Sequence, residues 1–275
     1  MRSLVALSLL FVSASAFATD CVNHADRSFN VDRADIKTLV AKLGSTDLKL
    51  RGVSGLSRIE VQARACASNA DDLGRLVVNQ RRDGDRLVVE TERNRGSYSF
   101  SLFGSSYAYL ELEIRVPSDL AVEVDTGSGD VDARDLASLK YDAGSGDLNV
   151  DNIVGKLTAE VGSGDVEGST IGRFHLISTG SGDISLRDIR GDVEIGRGGS
   201  GDLSLRKVTG SIRVGRIGSG DLDFSDVGGD VAVDSIGSGD IDADDVRGNL
   251  TVKSRGSSDI SYRNIGGKID VPSED

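Results

Sequence analysis

The sequence predicts an all-β fold, a single-stranded parallel β-helix (a solenoid) with about 18–19 residues per coil. Three observations lead to this prediction. A tetrapeptide recurs at a nearly constant spacing, apolar and polar residues alternate between its copies, and each repeat contains glycine and β-branched residues that disfavour a helix. Because a solenoid repeat is stable only when it stacks on its neighbours, we expect one elongated body.

The recurring tetrapeptide is Gly-Ser-Gly-Asp. It occurs seven times, first at residues 127–130, and Gly-Ser-Ser-Asp takes the eighth place at residues 256–259. Successive copies start 17 to 19 residues apart, which is one coil of the predicted solenoid. Parallel stacking would place these turns above one another, so that their aspartates form a structural turn ladder of Asp130, Asp147, Asp165, Asp183, Asp202, Asp221, Asp240 and Asp259.

The repeat at residues 199–217 shows how one coil is built. Apolar residues with a period of two occur at Leu203 and Leu205 and again at Ile212 and Val214. This pattern predicts two short strands with one inward face, a corner at the tetrapeptide and a second corner near the glycine in the twelfth place. The tenth place is apolar in every repeat and is expected to form a stacked column of Leu136, Ile153, Ile171, Ile189, Val208, Val227, Val246 and Ile265.

The repeated tetrapeptide, the apolar-x-apolar strand after it and the central glycine resemble the bacterial putative-adhesin β-strand-repeat family. This is a domain of unknown function related to the GIN-type adhesin heads, and the resemblance covers about residues 110–271. It implies a right-handed parallel β-helix and brings no established activity. The resemblance therefore informs the fold more than the function.

The first 18 residues have the features of a secretory signal peptide. Arg2 provides a positive charge, residues 4–12 are apolar, and Ala16-Phe17-Ala18 fits a cleavage site. A lipid anchor on Cys21 is disfavoured because the residues before it lack a lipobox. We expect an exported protein that is periplasmic, secreted or on the cell surface.

The chain has two cysteines, Cys21 and Cys66. In an oxidising compartment such a pair is more often a disulfide than a metal or catalytic site. A bridge would stabilise the amino-terminal region by about 3 to 4 kcal/mol in the chain-entropy model. The alternative is two unpaired thiols.

The region before the regular array, residues 19–126, is expected to contain divergent coils. Residues 44–61 align with the repeat as a degenerate coil, and Asp83-Gly84 indicates a hairpin turn inside a hairpin or cap insertion at about residues 67–108. The regular β-helix is then expected at residues 127–271, followed by a tail at residues 272–275.

Aromatic residues are concentrated at Tyr98, Phe100, Phe103, Tyr107 and Tyr109. One interpretation is a contact with a protein or glycan partner, because aromatic side chains are enriched at binding hot spots. The other is a cap that covers the exposed end of the solenoid. The two roles are compatible.

Three hypotheses apply to the chemistry of the aspartate ladder. Calcium binding is disfavoured because only one aspartate recurs per coil, whereas calcium needs six or more oxygen ligands. Catalysis is disfavoured because the array is regular and the chain has only two histidines, His24 and His175. The third hypothesis is structural: the corner glycines adopt positive φ, and the aspartates bond to backbone groups. We expect no cofactor, no metal and no enzymatic activity.

Charge and hydropathy limit the partners of the chain. It has 32 basic and 44 acidic residues, a net charge of −12, which argues against binding nucleic acid. No apolar run after the signal peptide is long enough to span a bilayer. We expect a monomer or weak oligomer whose partner is an envelope protein or a glycan. An adhesin-like or scaffold role is favoured, and polysaccharide binding or cleavage and envelope-stress signalling remain the alternatives.

Overall fold

The computed structural model describes residues 21–93 and 107–273. The fold is all-β, with 64% strand and 2% helix, and forms a β-solenoid of about eight turns with about 19 residues per coil. The interior is filled by Val, Ile, Leu and Ala, with Tyr141, Phe174 and Phe224 the largest of the fully buried side chains. The predicted fold class is confirmed.

The described residues form 23 strands and one short helix. In chain order they are β1 (Asn23–Asp26), β2 (Phe29–Asp32), β3 (Thr38–Lys42), β4 (Leu48–Val53), β5 (Arg58–Ala67), α1 (Ala70–Leu73), β6 (Leu76–Asp83), β7 (Arg86–Arg93), β8 (Ala108–Pro117), β9 (Ala121–Thr126), β10 (Val131–Leu136), β11 (Ser138–Ala143), β12 (Leu148–Val161), β13 (Val166–Thr179), β14 (Ile184–Ile189), β15 (Val193–Gly198), β16 (Leu203–Val208), β17 (Ile212–Ile217), β18 (Leu222–Val227), β19 (Val231–Ile236), β20 (Ile241–Val246), β21 (Leu250–Val252), β22 (Ile260–Ile265) and β23 (Ile269–Asp270).

Each regular coil contributes one strand to each of two parallel faces. The leading sheet holds, in order, β8, β4 and then the strands that follow the tetrapeptide corners, which are β10, β12, β13, β14, β16, β18, β20 and β22. The trailing sheet holds the strands that precede those corners, in the order β7, β3, β9, β11, β12, β13, β15, β17, β19, β21 and β23. The long strands β12 and β13 run through both sheets.

Like residues stack on like residues from coil to coil. Every neighbouring pair in the predicted tenth-place column is in register, from Leu136 beside Ile153 to Val246 beside Ile265. All of these side chains are buried except Ile265, which is half-buried in the last coil. The 19-residue period therefore sets the register, because any slip would expose this column.

The corner glycines have a different role from the predicted one. Among the described glycines, positive φ occurs at Gly44, Gly55 and Gly84, and not in the Gly-Ser-Gly-Asp corners. A Cβ added to Gly220 would overlap the carbonyl oxygen of Gly201 in the neighbouring coil. The prediction of positive φ at these corners is wrong, since glycine is required there for close approach of stacked backbones.

The left-handed backbone lies in the ninth place of each repeat instead. The φ angles there are between 53° and 61°, and the pairing register skips these residues, as in a bulge. Asparagine and aspartate tolerate this conformation best, and they occupy most of the positions. The full set is Asp135, Asn152, Thr170, Asp188, Lys207, Asp226, Asp245 and Asn264.

The amino-terminal region departs from simple stacking. The coil of β3 and β4 lies between the later strands β7 and β8 on its outer side and β9 and β10 on its inner side. Strand β5 then leaves the solenoid and pairs antiparallel with β8, β1 and β2. Residues 44–61 are therefore not one coil: the first half stacks as predicted, and the second half builds an antiparallel cover.

The insertion contains the hairpin that Asp83-Gly84 indicated. Strands β6 and β7 pair antiparallel, with Asp83 opposite Arg86 and Gly84 at a φ of 60°. This hairpin adds β7 to the outer edge of the trailing sheet, while β8 extends the leading sheet. Together with β5 these strands cover the first coil.

Candidate functional site

The aspartates of the corners form a hydrogen-bonded ladder along one edge of the solenoid. The backbone N–H of Asp221 donates to Oδ1 of Asp202 at 2.9 Å, and the N–H of Asp202 donates to Oδ1 of Asp183 at 2.8 Å. The same contact repeats at 2.8 to 3.0 Å for every neighbouring pair up to Asp259. Each of these carboxylates before the last coil therefore accepts a hydrogen bond from the neighbouring coil.

The ladder begins one coil earlier than the tetrapeptide suggests. The N–H of Asp130 donates to Oδ1 of Asp47 at 3.0 Å, although Asp47 belongs to the divergent sequence Gly-Ser-Thr-Asp. Behind the corner, the hydroxyl of Thr126 accepts from the N–H of Gly129 at 3.1 Å, and the buried Tyr141 donates to the carbonyl of Gly146 at 2.7 Å. Burial and the charges of neighbouring carboxylates raise the pKa of Tyr141, so it remains a neutral donor.

The opposite corner carries a second ladder that sequence reasoning missed. Side chains of Asp192, Ser211, Asp230 and Asn249 each accept from the backbone N–H of the equivalent residue one coil further on, at 2.7 to 3.1 Å. The residue type varies from coil to coil, which hides the repeat. The signal available in the sequence was a glycine before each of these polar residues and an apolar residue after it.

The two ladders use their side chains to join coils. Within residues 21–93 and 107–273, no group of three or more His, Cys, Asp or Glu side chains has the arrangement of a metal site. His175 lies half-exposed on the trailing sheet with Nδ1 3.0 Å from Nζ of Lys156. The arrangement at the corners can therefore stabilise stacking without a bound ion.

A disulfide fixes the start of the described chain to the cover strands. Cys21 and Cys66 are bonded, with their Cα atoms 5.5 Å apart, and Cys66 is fully buried in β5. The backbone N–H of Val22 donates to the hydroxyl of Tyr107 at 3.0 Å, and the rings of Tyr107 and Tyr109 are 5.9 Å apart. Of the aromatic residues considered as a partner contact, Tyr98, Phe100 and Phe103 lie outside the described residues.

A groove of about 980 Å³ lies beside this disulfide, between the cover strands and the leading sheet. Nine Asp or Glu residues line it, against two Lys or Arg residues. The acidic residues are Asp26, Asp47, Glu111, Glu113, Asp130, Asp132, Asp147, Asp165 and Glu167. Hydrogen bonds from Ser28 lower the pKa of Asp26, which keeps that carboxylate charged.

The lining of the groove limits what it can bind. His24 and Tyr109 contribute aromatic rings, and Leu110 and Leu112 contribute apolar surface. An anionic ligand would be repelled by the surrounding carboxylates, whereas a neutral glycan or a basic protein segment would not. The groove is a candidate contact site, and Tyr109 is the member of the predicted aromatic cluster that lines it.

Sequence comparison places the fold in a family. The family model described as Toastrack DUF4097 matches residues 36–245. The chain belongs to the Toastrack DUF4097 family. No curated protein has a matching sequence.

Among the solved structures that resemble this Toastrack chain are three whose alignments each cover 91% of it. A putative lipid binding protein from Parabacteroides distasonis has 17% identity and a TM-score of 0.47 over 97% of its chain. A putative adhesin from Bacteroides fragilis has 15% identity and a TM-score of 0.43 over 97% of its chain. A putative cell adhesion protein from Clostridium sporogenes has 11% identity and a TM-score of 0.32 over its whole chain. These values are too low to transfer a function.

The Toastrack match leaves out the parts of the chain that close its ends. Strands β1 and β2 and Cys21 precede the matched segment, and β21, β22 and β23 follow it. Within the described part of the chain, no helix is long and apolar enough to cross a membrane. The disulfide therefore joins Cys21, outside the matched segment, to Cys66 within it, and the groove lies within the matched segment except for His24, Asp26 and Ser28.

Proposed function

We propose that the protein is an exported, non-enzymatic component of the bacterial cell envelope that acts by surface contact, as an adhesin-like or scaffold module. The observation that supports this best is the aspartate ladder. The carboxylates that recur most regularly in the chain accept hydrogen bonds from the neighbouring coils, so they serve the shape of the rod. A rod built in this way offers its two faces and its amino-terminal groove for contact.

The proposed contact region is the acidic groove, with Tyr109 in its lining. Tyr107 and Tyr109 lie at the amino-terminal cover, and the chain between β7 and β8 carries Tyr98, Phe100 and Phe103. Aromatic side chains beside a polar groove suit a protein or glycan partner. The carboxylates favour a partner that is basic or neutral over one that is acidic.

An extracytoplasmic location is supported by two features. The disulfide between Cys21 and Cys66 needs an oxidising compartment to persist. Residues 1–18 have the composition of a secretory signal peptide. We propose the periplasm or the cell surface on this basis.

Cross-linking in the native envelope tests this function. The variant Glu167→Lys reverses an exposed charge in the groove, and Asp242→Lys reverses an exposed charge in the same outward row of the leading sheet, four coils away. We expect Glu167→Lys to lose most of the cross-linked partner and Asp242→Lys to retain it. Equal capture by both variants would contradict a contact at the groove.

A glycan array separates the protein-contact hypothesis from polysaccharide binding. The array compares the wild type with a variant in which Tyr98, Phe100 and Phe103 are changed to Ala. Retention of a glycan by the wild type and its loss in the variant would favour polysaccharide binding, and release of shortened chains would favour cleavage. If the array shows no glycan binding and the cross-linking captures only proteins, the adhesin-like or scaffold role is supported. A cross-linked signalling protein of the membrane would favour a part in envelope-stress signalling.

A further inference from the structure

The outer surface of the trailing sheet carries one column of charged side chains whose sign changes along the solenoid. The registers between neighbouring strands place its members one coil apart. The column begins with Glu90 and Lys42 and continues through Asp125, Asp142, Glu160, Ser178, Arg197 and Arg216 to Ser235. From Asp125 onward, three carboxylates are thus followed by a serine and then by two guanidinium groups. We call these three carboxylates the acidic patch and the two arginines the basic patch.

Neither patch is neutralised by ion pairs within its own chain. Arg197 and Arg216 are exposed, and no salt bridge or side-chain hydrogen bond in the described part of the chain involves them. Glu160 accepts only a 3.3 Å hydrogen bond from the hydroxyl of Ser178. Burial and the charges of Glu160 and Asp125 raise the pKa of Asp142, against the opposing effect of Lys140. Each patch therefore leaves its charge available to a partner.

The order of the charges in the column is self-complementary. Equivalent residues in neighbouring coils are about 4.8 Å apart. A second copy can pack against this column with its solenoid axis reversed and its Ser178 opposite the first Ser178, and the charges of the two columns then have the same spacing. Glu160 of one copy would then face Arg197 of the other, and Asp142 would face Arg216. A two-fold axis makes each of these pairs twice, which gives four ion pairs across one interface. Arginine is well suited to them because its planar group can bind a carboxylate through two hydrogen bonds.

We propose that the trailing sheet is a self-recognition surface on which two copies of this chain pack antiparallel, with the acidic patch of each against the basic patch of the other. This proposal goes beyond the contact function of the groove and does not depend on it, since the groove lies on the leading sheet. A partner with both signs of charge fits this surface best. A long polyanion fits it less well, because a polyanion bound at Arg197 and lying along the column would reach the carboxylate of Glu160 two coils, or about 10 Å, away.

The size and chemistry of the surface make the association weak. Six coils span about 25 Å and one strand about 20 Å, so each copy would bury about 500 Å², at the low end of specific interfaces. The neighbouring column brings Lys140 opposite Arg213, a contact of like charges that further limits affinity.

Charge reversal on each patch tests the proposal with purified protein. Arg197→Glu with Arg216→Glu leaves only carboxylates and Ser178 from Asp125 to position 216, and Asp142→Arg with Glu160→Arg leaves only arginines and Ser178 from position 142 to Arg216. Sedimentation velocity should show a wild-type dimer at low salt and monomers for each double variant. An equimolar mixture of the two variants should form a heterodimer, because an acidic column then faces a basic one.

A matched control changes the same charge elsewhere. Arg187→Glu with Arg206→Glu reverses two exposed arginines of the leading sheet and should leave the wild-type dimer in place. Raising the salt from about 0.01 M to about 1 M shortens the screening length from about 30 Å to about 3 Å and should weaken the wild-type dimer at least about tenfold. Circular dichroism of every variant establishes that it is folded.

Three results would overturn the proposal. The first is a wild type that remains monomeric at low salt, and the second is a mixture of the two folded patch variants that does not associate. The third is a dimer that persists in either patch variant alone, which would place the interface on another surface. Binding of a sulfated polysaccharide by a monomeric wild type would give the first result and assign the arginines to an anionic ligand.

Discussion

Replacing Asp202 with alanine removes one rung of the aspartate ladder from the middle of the regular array. The change deletes the carboxylate that accepts the backbone N–H of Asp221 at 2.9 Å. The backbone of residue 202 keeps its own bond to Oδ1 of Asp183 at 2.8 Å. Because Asp202 is exposed and its side chain fills no part of the core, the loss of this one hydrogen bond dominates the effect.

The magnitude is a balance of two terms. A hydrogen bond to a charged group contributes about 1.5 to 3 kcal/mol. The lost carboxylate also repelled its two ladder neighbours, each about 5 Å away, by about 0.8 kcal/mol in water before screening by salt. We therefore expect Asp202→Ala to lower the free energy of unfolding by about 1 kcal/mol. Asp202→Asn keeps an oxygen acceptor and removes the charge, so its stability should equal or slightly exceed that of the wild type.

Urea denaturation of the wild type and the two variants measures this difference. The expected order of midpoints is Asn at or above the wild type, and Ala below both, with equal slopes. Equal stability of the wild type and both variants would refute the reasoning, because it would show that the hydrogen bond to Asp221 contributes nothing. A loss of stability in the Asn variant as large as that in the Ala variant would show that the charge matters and the acceptor does not.

Four further predictions address other parts of the structure. Thr170→Asn should raise the melting temperature by about 2 to 4 °C, since it relieves about 1 kcal/mol of strain from a β-branched residue at a φ of 61°. Tyr141→Phe should cost about 1 to 3 kcal/mol in denaturant titrations, because it leaves the buried carbonyl of Gly146 without its 2.7 Å donor. Asp142→Asn should stabilise the dilute protein at neutral pH. That gain should vanish in melts below the ordinary carboxyl pKa of 3.8, because a raised pKa means that folding stability is lost as the pH rises. Chelation of divalent cations with EDTA should leave the melting temperature unchanged.

The regular part of the fold was predictable because one period governs it. The tenth place is apolar in every repeat, from Leu136 to Ile265, and it recurs every 17 to 19 residues. Parallel stacking is the arrangement that brings these apolar residues together in one column. The hairpin at Asp83-Gly84 was predictable from local turn chemistry. These features depend on residues close in sequence or equivalent in the repeat.

The remaining features depend on contacts that no period encodes. The sequence does not reveal that β7 and β8 lie outside the coil of β3 and β4, because the pairing joins segments far apart in the chain. The sequence suggests positive φ as the reason for the corner glycines. The true reason, the close approach of carbonyl groups such as that of Gly201 in the neighbouring coil, arises only when the coils stack. The second ladder was missed because Asp192, Ser211 and Asn249 share hydrogen-bonding capacity and not identity.

Residue-resolved amide hydrogen exchange tests most directly the claim that the recurring aspartates join the coils. The account predicts that the backbone amides of Asp147, Asp165, Asp183, Asp202, Asp221 and Asp240 exchange slowly although these residues are exposed, since each donates to a carboxylate one coil away. In Asp202→Ala the amide of Asp221 should lose its protection while that of Asp183 keeps it. Rapid exchange at all of these amides in the wild type would contradict the account.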